Sequence, residues 1–320
     1  MPNYSGVWKL KEVLEYIAAG EWPDATAGFA LFAGGFDADF NRQSSIDFVT
    51  IATTGVATDF GDLLAAKAKI ASCSNKTRAV FAGGEDPNEV NVISFTTFAS
   101  TGSMSDFGDL ISVQDQFSGC SNSTTGVFSG GEVSGRTNVI QSITIASTGN
   151  ASDFGDLNEN LADTASLSSS TRGVVAGGIN GSSATVNTIQ FVTFSSAGNA
   201  SDFGDLTQTT RLFGGLSSTT RGVFGGGFNS SAYTNVVQYI TIASTGNASD
   251  FGDLISLSGN AMGASDQTIG LFAGGFDGSD EVNTIQYVTI ASTGNSQDFG
   301  DLSVERNQGG GCSSAHGGLA

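Results

Sequence analysis

The sequence is poor in the residues on which chemistry is usually built. Its 320 residues include one histidine, two tryptophans, three cysteines and three prolines. Lysine and arginine together number 12 against 31 acids, a formal net charge of −19. That balance excludes a basic nucleic-acid binder and a polybasic membrane anchor. No apolar run approaches about 18 residues, so no membrane-inserted helix is expected. No basic stretch leads into an apolar segment with a small-residue cleavage site, so no secretory leader is expected either. One histidine gives a Ser-His-Asp triad or a histidine-rich zinc centre no support. An odd number of cysteines fits a chain folded in a reducing compartment. What the chain does have is 45 glycines, abundant Ser and Thr, and 39% hydrophobic residues. That apolar share is enough for a core and argues against long disorder.

The glycines are organised by a repeat. Asp-Phe-Gly-Asp-Leu occurs six times, beginning at Asp59, Asp106, Asp153, Asp202, Asp250 and Asp298, at spacings of 47, 47, 49, 48 and 48 residues. A glycine pair behind an aromatic or aliphatic residue runs in step, as in Phe32-Ala33-Gly34-Gly35 and Phe272-Ala273-Gly274-Gly275. Between these two markers lies a β-branched and aromatic segment, clearest from Asn283 to Gly294. Periods of about 40 to 50 residues with glycine pairs predict propeller blades rather than helical solenoids. Each unit divides into four strands. Strand b runs into the glycine pair, strand c carries apolar residues on both faces as a sheet packed between two others must, and strand d holds Asp-Phe-Gly-Asp-Leu. A short strand a precedes the next glycine pair, as in Ala71-Ser72-Cys73-Ser74. The expectation is an all-β chain in which residues 28–320 form a single six-bladed β-propeller.

The ends predict how the ring closes. The first glycine pair lacks a strand a before it, whereas the chain continues past the last Asp-Phe-Gly-Asp-Leu. Cys312 follows Leu302 by ten residues, just as Cys73 follows Leu63 and Cys120 follows Leu110. The C-terminal segment is therefore expected to supply strand a of the first blade, removing an open sheet edge. Residues 1–27 form a separate leader. Leu10, Val13, Leu14 and Ile17 fall at helical spacing, so residues 9–19 are expected to be a short amphipathic helix, ended by Gly20 and Pro23. Two readings stand for it: a helix packed under the propeller, or an attachment segment carried by Trp8, Leu10, Leu14, Ile17 and Trp22.

The order Thr-Arg-x-Val-Phe-x-Gly-Gly, then an Asn-x-Ile/Val strand, then a turn and a final aromatic strand, resembles the kelch-type propeller repeat. Phe of Asp-Phe-Gly-Asp-Leu stands where kelch repeats usually place tryptophan. The segments Thr-Ile-Ala-Ser-Thr-Gly-Asn-Ala-Ser-Asp-Phe-Gly-Asp-Leu and Gly-Cys-Ser-Asn-Ser-Thr are closer to kelch-like proteins of tailed, especially marine, bacteriophages. The leader, from Ser5 to Pro23, is similar to the start of several phage virion proteins. This resemblance implies a virion protein assembled in the host cytoplasm, joined to other virion proteins through its leader and arranged as an oligomer within the particle.

Candidate chemistry is sparse. The cysteines share a repeat position with Leu167, Leu216 and Ala264, which marks a buried apolar slot. Asp-Phe-Gly is part of the kinase signature, but six copies without a catalytic loop carry no kinase meaning; the aspartates are expected to bind turn backbone and the glycine to take a strained angle. The single histidine, His316, also argues against the copper oxidase chemistry of some kelch-type enzymes, and the bacterial sialidase motif is absent. Asp37-Ala38-Asp39-Phe40-Asn41 begins like a calcium loop, but Arg42 replaces the expected glycine and no Glu closes it. No cofactor is expected, with calcium the one candidate kept.

The repeats differ most in the loops joining strands b and c, all expected on one side of the ring. There Phe36, Phe228, Tyr233 and Phe276 offer aromatic platforms, with Asp37, Asp39 and Asp277 as polar partners. The alternative is that these are tolerated surface loops. The functional expectation is a non-enzymatic virion surface protein, foremost a tail-fibre or tail-tip module recognising a host glycan or protein. The alternatives are a capsid or tail decoration protein that binds only other virion subunits, and a carbohydrate-active enzyme.

Overall fold

The computed structural model describes residues 28–319 and is all-β, a propeller of six four-stranded antiparallel blades. The fifth blade shows the plan. Gly214–Ser217 is strand a, Arg221–Gly225 strand b, Val236–Thr241 strand c and Ser249–Asp253 strand d, hydrogen-bonded in that order. The six a strands, Gly310–Ser313, Ala71–Ser74, Ser118–Ser121, Ala165–Ser168, Gly214–Ser217 and Met262–Ser265, surround the central axis. Each packs against the next, and the last against the first. Among the described residues the only helical turn is Gly317–Leu319. The leader helix and Trp8, Leu10, Leu14, Ile17 and Trp22 lie outside the described residues.

Ring closure follows the sequence expectation. Gly310–Ser313 pairs antiparallel with Phe29–Ala33, with Cys312 opposite Leu31, so the chain's last strand completes its first blade. The core divides into six hydrophobic clusters, each at a seam between adjacent blades. In one, Ala30 and Phe32 of the first blade meet Met262, Leu271 and Ile285 of the sixth. This explains why strand c is apolar on both faces: each face meets a different blade. The phenylalanine of every Asp-Phe-Gly-Asp-Leu is buried. In five blades it packs against an aromatic of strand c, as in Tyr239–Phe251 with centroids 6.0 Å apart.

Asp-Phe-Gly-Asp-Leu is the seam itself. Phe154 O accepts from Gly198 N at 2.7 Å, and Asp156 O from Ala200 N at 2.8 Å, tying strand d of the third blade to the c–d turn of the fourth. The same two bonds recur at all six seams, closing with Gly55 N to Phe299 O and Ala57 N to Asp301 O. A Cβ on Gly155 would collide with the Gly198 carbonyl, so the motif's glycine is required by this approach of two backbones. The turn role expected of the aspartates belongs to asparagines instead. Asn199 Oδ1 accepts from Asp156 N at 3.1 Å, and Asn150, Asn247 and Asn295 do the same at their seams. Among the described residues the motif's carboxylates make one side-chain hydrogen bond, from Ser44 Oγ to Asp62.

At the axis the closing serine of each strand a donates to the carbonyl of its counterpart one blade back. Ser74 bonds Ser313, Ser121 bonds Ser74, Ser168 bonds Ser121, Ser217 bonds Ser168, Ser265 bonds Ser217 and Ser313 bonds Ser265, at 2.5–2.8 Å. The ring of hydroxyls is complete only because the C-terminal strand takes its place in it.

Candidate functional site

The two mouths of the ring differ. At the end where the a strands finish, the C-terminal turn Gly317–Leu319 stops the axis. A Cβ on Gly317 or Gly318 would run into the Ser218 or Ser121 carbonyl, so only glycine lets this segment enter. His316 Nδ1 accepts from Gly318 N at 3.1 Å, which leaves the proton on Nε2, placed 3.2 Å from Ser74 O. His316 is half-buried and lines a small axial cavity, and burial pushes its pKa down to about 4, opposed by the Ser74 bond.

The other mouth is open and carries the b–c loops. Just before each strand a, one residue holds the left-handed backbone conformation without being glycine: Lys69, Gln116, Asp163, Leu212, Asn260 and Gln308, with φ between 54° and 60°. Their backbones form a closed circle. Lys69 N bonds Gln308 O, Gln116 N bonds Lys69 O, and so on through Gln308 N to Asn260 O, at 2.6–3.3 Å. All six residues line a basin of about 110 Å³ on the axis.

Each b–c loop opens with a residue bridged to the segment behind this circle, and these six residues set the character of the rim. Phe36, Ile179, Phe228 and Phe276 make an apolar arc from four consecutive blades, whereas Glu85 and Glu132 make an acidic one from the other two. On the acidic side Lys69 Nζ lies 3.0 Å from Glu85 and 3.2 Å from Asp115, and Arg42 also grips Glu85 at 2.6 Å. Burial works against the Glu85 charge, but Lys69 and Arg42 outweigh it and hold its carboxyl below the usual range. Burial wins at Asp115, whose pKa is raised despite Lys69. Asp163 is 8% exposed, and burial lifts its pKa to about 6 against the pull of Arg211, 3.1 Å away.

Of the loop residues singled out from sequence, three come together. Tyr233 sits between Phe228 and Phe276, with centroids 5.3 and 5.1 Å away. All three are half-buried, and Arg211 covers the Phe228 ring at 5.3 Å. Phe36 stands one blade further on, under Arg42 at 5.4 Å. Asp37 is committed to its own loop: it accepts from Asn41 N at 2.8 Å, Asp39 N at 3.0 Å and Gln43 Nε2 at 2.8 Å. Slight burial raises the Asp37 pKa and these bonds outweigh it, leaving it lowered. Asp277, lowered by the backbone N–H groups of Asp280 and Ser279, caps its own turn likewise. Asp39 is exposed. Among the described residues no group of three or more His, Cys, Asp or Glu side chains is placed to hold a metal. The three cysteines are free and buried, and burial raises each thiol, Cys120 to about 12.

The circle of six was missed from sequence. Its signal was present, because the residue before strand a changes with every repeat, but nothing in composition reveals a left-handed backbone at Lys, Gln or Leu. No protein-family model matches the chain, and no curated protein does.

Proposed function

We propose that this propeller is a non-enzymatic binding module carried on a bacteriophage particle, its b–c loop face turned to the host surface in the manner of a tail-fibre or tail-tip protein. The resemblance of its repeats to kelch-like proteins of tailed phages, and of its leader to phage virion proteins, supplies the context. The observation that carries the reading is the contrast between faces. The framework repeats its seam bonds six times, while the loop face differs from blade to blade around an open mouth, and a rigid scaffold with varied loops is a recognition architecture. Gly28, where the described chain begins, packs beside Asp266 and Ala315 at the plugged end. A leader anchored to the particle from that end leaves the loop face outward. The two raised carboxylates, Asp115 and Asp163, are each held in an ion pair, which supports binding over turnover.

Binding of the labelled protein to host cells tests this. The F228A/Y233A/F276A variant should bind at least tenfold more weakly with unchanged circular dichroism. Equal binding by both proteins refutes the loop-face reading. Capture of the protein by particles through residues 1–27, with no binding to cells, supports the decoration role instead.

A further inference from the structure

We propose that the axial basin of the loop face receives, end-on, a single uncharged sugar residue at the terminus of a glycan. The inference rests on the reading of that face as a recognition surface and names what it recognises.

The first argument is strain. A left-handed conformation costs a non-glycine residue roughly 1–2 kcal/mol. This chain uses glycine freely for positive φ, at both members of every glycine pair. Yet at the mouth it keeps Lys69, Gln116, Asp163, Leu212, Asn260 and Gln308, all six lining the basin. Side chains retained where glycine would relax the backbone point to a use for those side chains.

The second argument is the chemistry of the lining. Gln116, Asn260 and Gln308 supply three carboxamides, each able to donate and accept, as vicinal hydroxyls require. Gln308 Oε1 is buried without a hydrogen-bond partner among the described residues. Leu212, Phe117 and Phe213 add apolar wall against which the C–H face of a pyranose can pack. The two charged members are already neutralised, Lys69 by Glu85 and Asp115, and Asp163 by Arg211. An ionised ligand would have to break one of those pairs, and a chain of net charge −19 repels anions.

The third argument is depth. Below the basin the axis narrows to a cavity of about 50 Å³ among the a strands, and Gly317–Leu319 stops it beyond. A chain end enters such a dead end, whereas an internal stretch of polymer does not.

Saturation-transfer NMR and calorimetry with the full-length protein decide the matter. The probes are the methyl glycosides of glucose, galactose, mannose and N-acetylglucosamine, with sialic and glucuronic acids as the charged set. At least one neutral glycoside should bind saturably. Gln116→Gly and Gln308→Gly should weaken it about tenfold or more while leaving the melting temperature unchanged or raised, since strain is relieved. Saturation by the acidic sugars alone, no binding at tens of millimolar, or binding indifferent to both glycine variants overturns the proposal. Cell binding that needs Phe228, Tyr233 and Phe276 while no neutral glycoside binds overturns this inference alone and leaves the loop-face reading standing.

Discussion

Arg306 is fully buried, and its guanidinium reaches Asp47 Oδ2 at 2.9 Å and Ser45 O at 3.0 Å. At the same two positions of the seam between the second and third blades stand two glutamines. Gln141 accepts from Ile111 N at 2.9 Å and donates to Gln114 at 2.7 Å, and Asp47 likewise accepts from Ser303 N at 2.9 Å. The seam between the sixth and first blades is thus fastened by charge. Removing one partner of a buried pair costs roughly 3–5 kcal/mol, so Arg306→Met should markedly lower the denaturant midpoint. The D47Q/R306Q double variant should recover most of the loss by recreating the Gln114–Gln141 contact. Equal damage in single and double variants would show that the pairing itself is not what matters. From sequence, the signal was an acid at a strand c position that holds glutamine in four other repeats, paired with an arginine far along the chain, and only the closed ring brings the two together.

At the same scale His316 makes stability depend on pH. Its folded pKa of about 4 lies below the ordinary 6.5, so between those values the unfolded chain holds more protons and acidification destabilises the fold. Asp163, raised to about 6, acts oppositely above 3.8. Comparing wild type with His316→Gln cancels the Asp163 contribution. The wild-type melting temperature should fall relative to the variant between pH 6.5 and 4, and parallel curves would contradict a neutral imidazole held by its Ser74 and Gly318 bonds.

Among the elements, the Asp-Phe-Gly-Asp-Leu strand was legible as scaffold because it recurs six times, but its contact was not. Nothing in a single repeat says that its glycine abuts the c–d turn of the next blade, because that neighbour exists only in the assembled ring. The two sides of one contact should respond differently to a methyl group. Gly155→Ala collides with the Gly198 carbonyl at positive φ and should cost on the order of 1–3 kcal/mol. Gly198→Ala meets nothing within 4 Å and should be nearly neutral. Comparable melting temperatures for the two variants would dismiss the seam as described.

The closing strand was legible down to Cys312, since its spacing from Leu302 repeats that of two other cysteines. Phe29 N bonds Ser314 Oγ at 3.0 Å and Ser314 N bonds Phe29 O at 2.9 Å, so the two chain ends meet as an ordinary a–b hairpin would. Deleting residues 303–320 should therefore lower the melting temperature by ten degrees or more and expose Phe29–Ala33 as a sticky edge. Moving residues 303–314 ahead of Phe29 through a short turn should restore most of that loss. An unaltered melting temperature in the truncated chain would refute the clasp.

For the molecule as a whole, composition now has a structural address. Twelve of the 31 acids sit in the six Asp-Phe-Gly-Asp-Leu strands, so much of the charge is spread around the ring by the repeat instead of gathered at a site. The individual face lies at the mouth that carries the b–c loops, where the sequence shows the repeats diverging and the structure packs Phe228, Tyr233 and Phe276 together. Sequence could not foresee the strained circle around the axis, because backbone closure across six blades dictates that conformation. Gly28 lies beside the plugged end and the b–c loops at the other, which is the arrangement the proposed role uses. Electron microscopy of intact particles carrying a label on the b–c loops tests that central claim most directly. The account predicts the propeller on the particle exterior with Phe228 and Phe276 facing outward and Gly28 toward the particle. A propeller absent from particles, or one whose loop face is buried against other subunits, would contradict it.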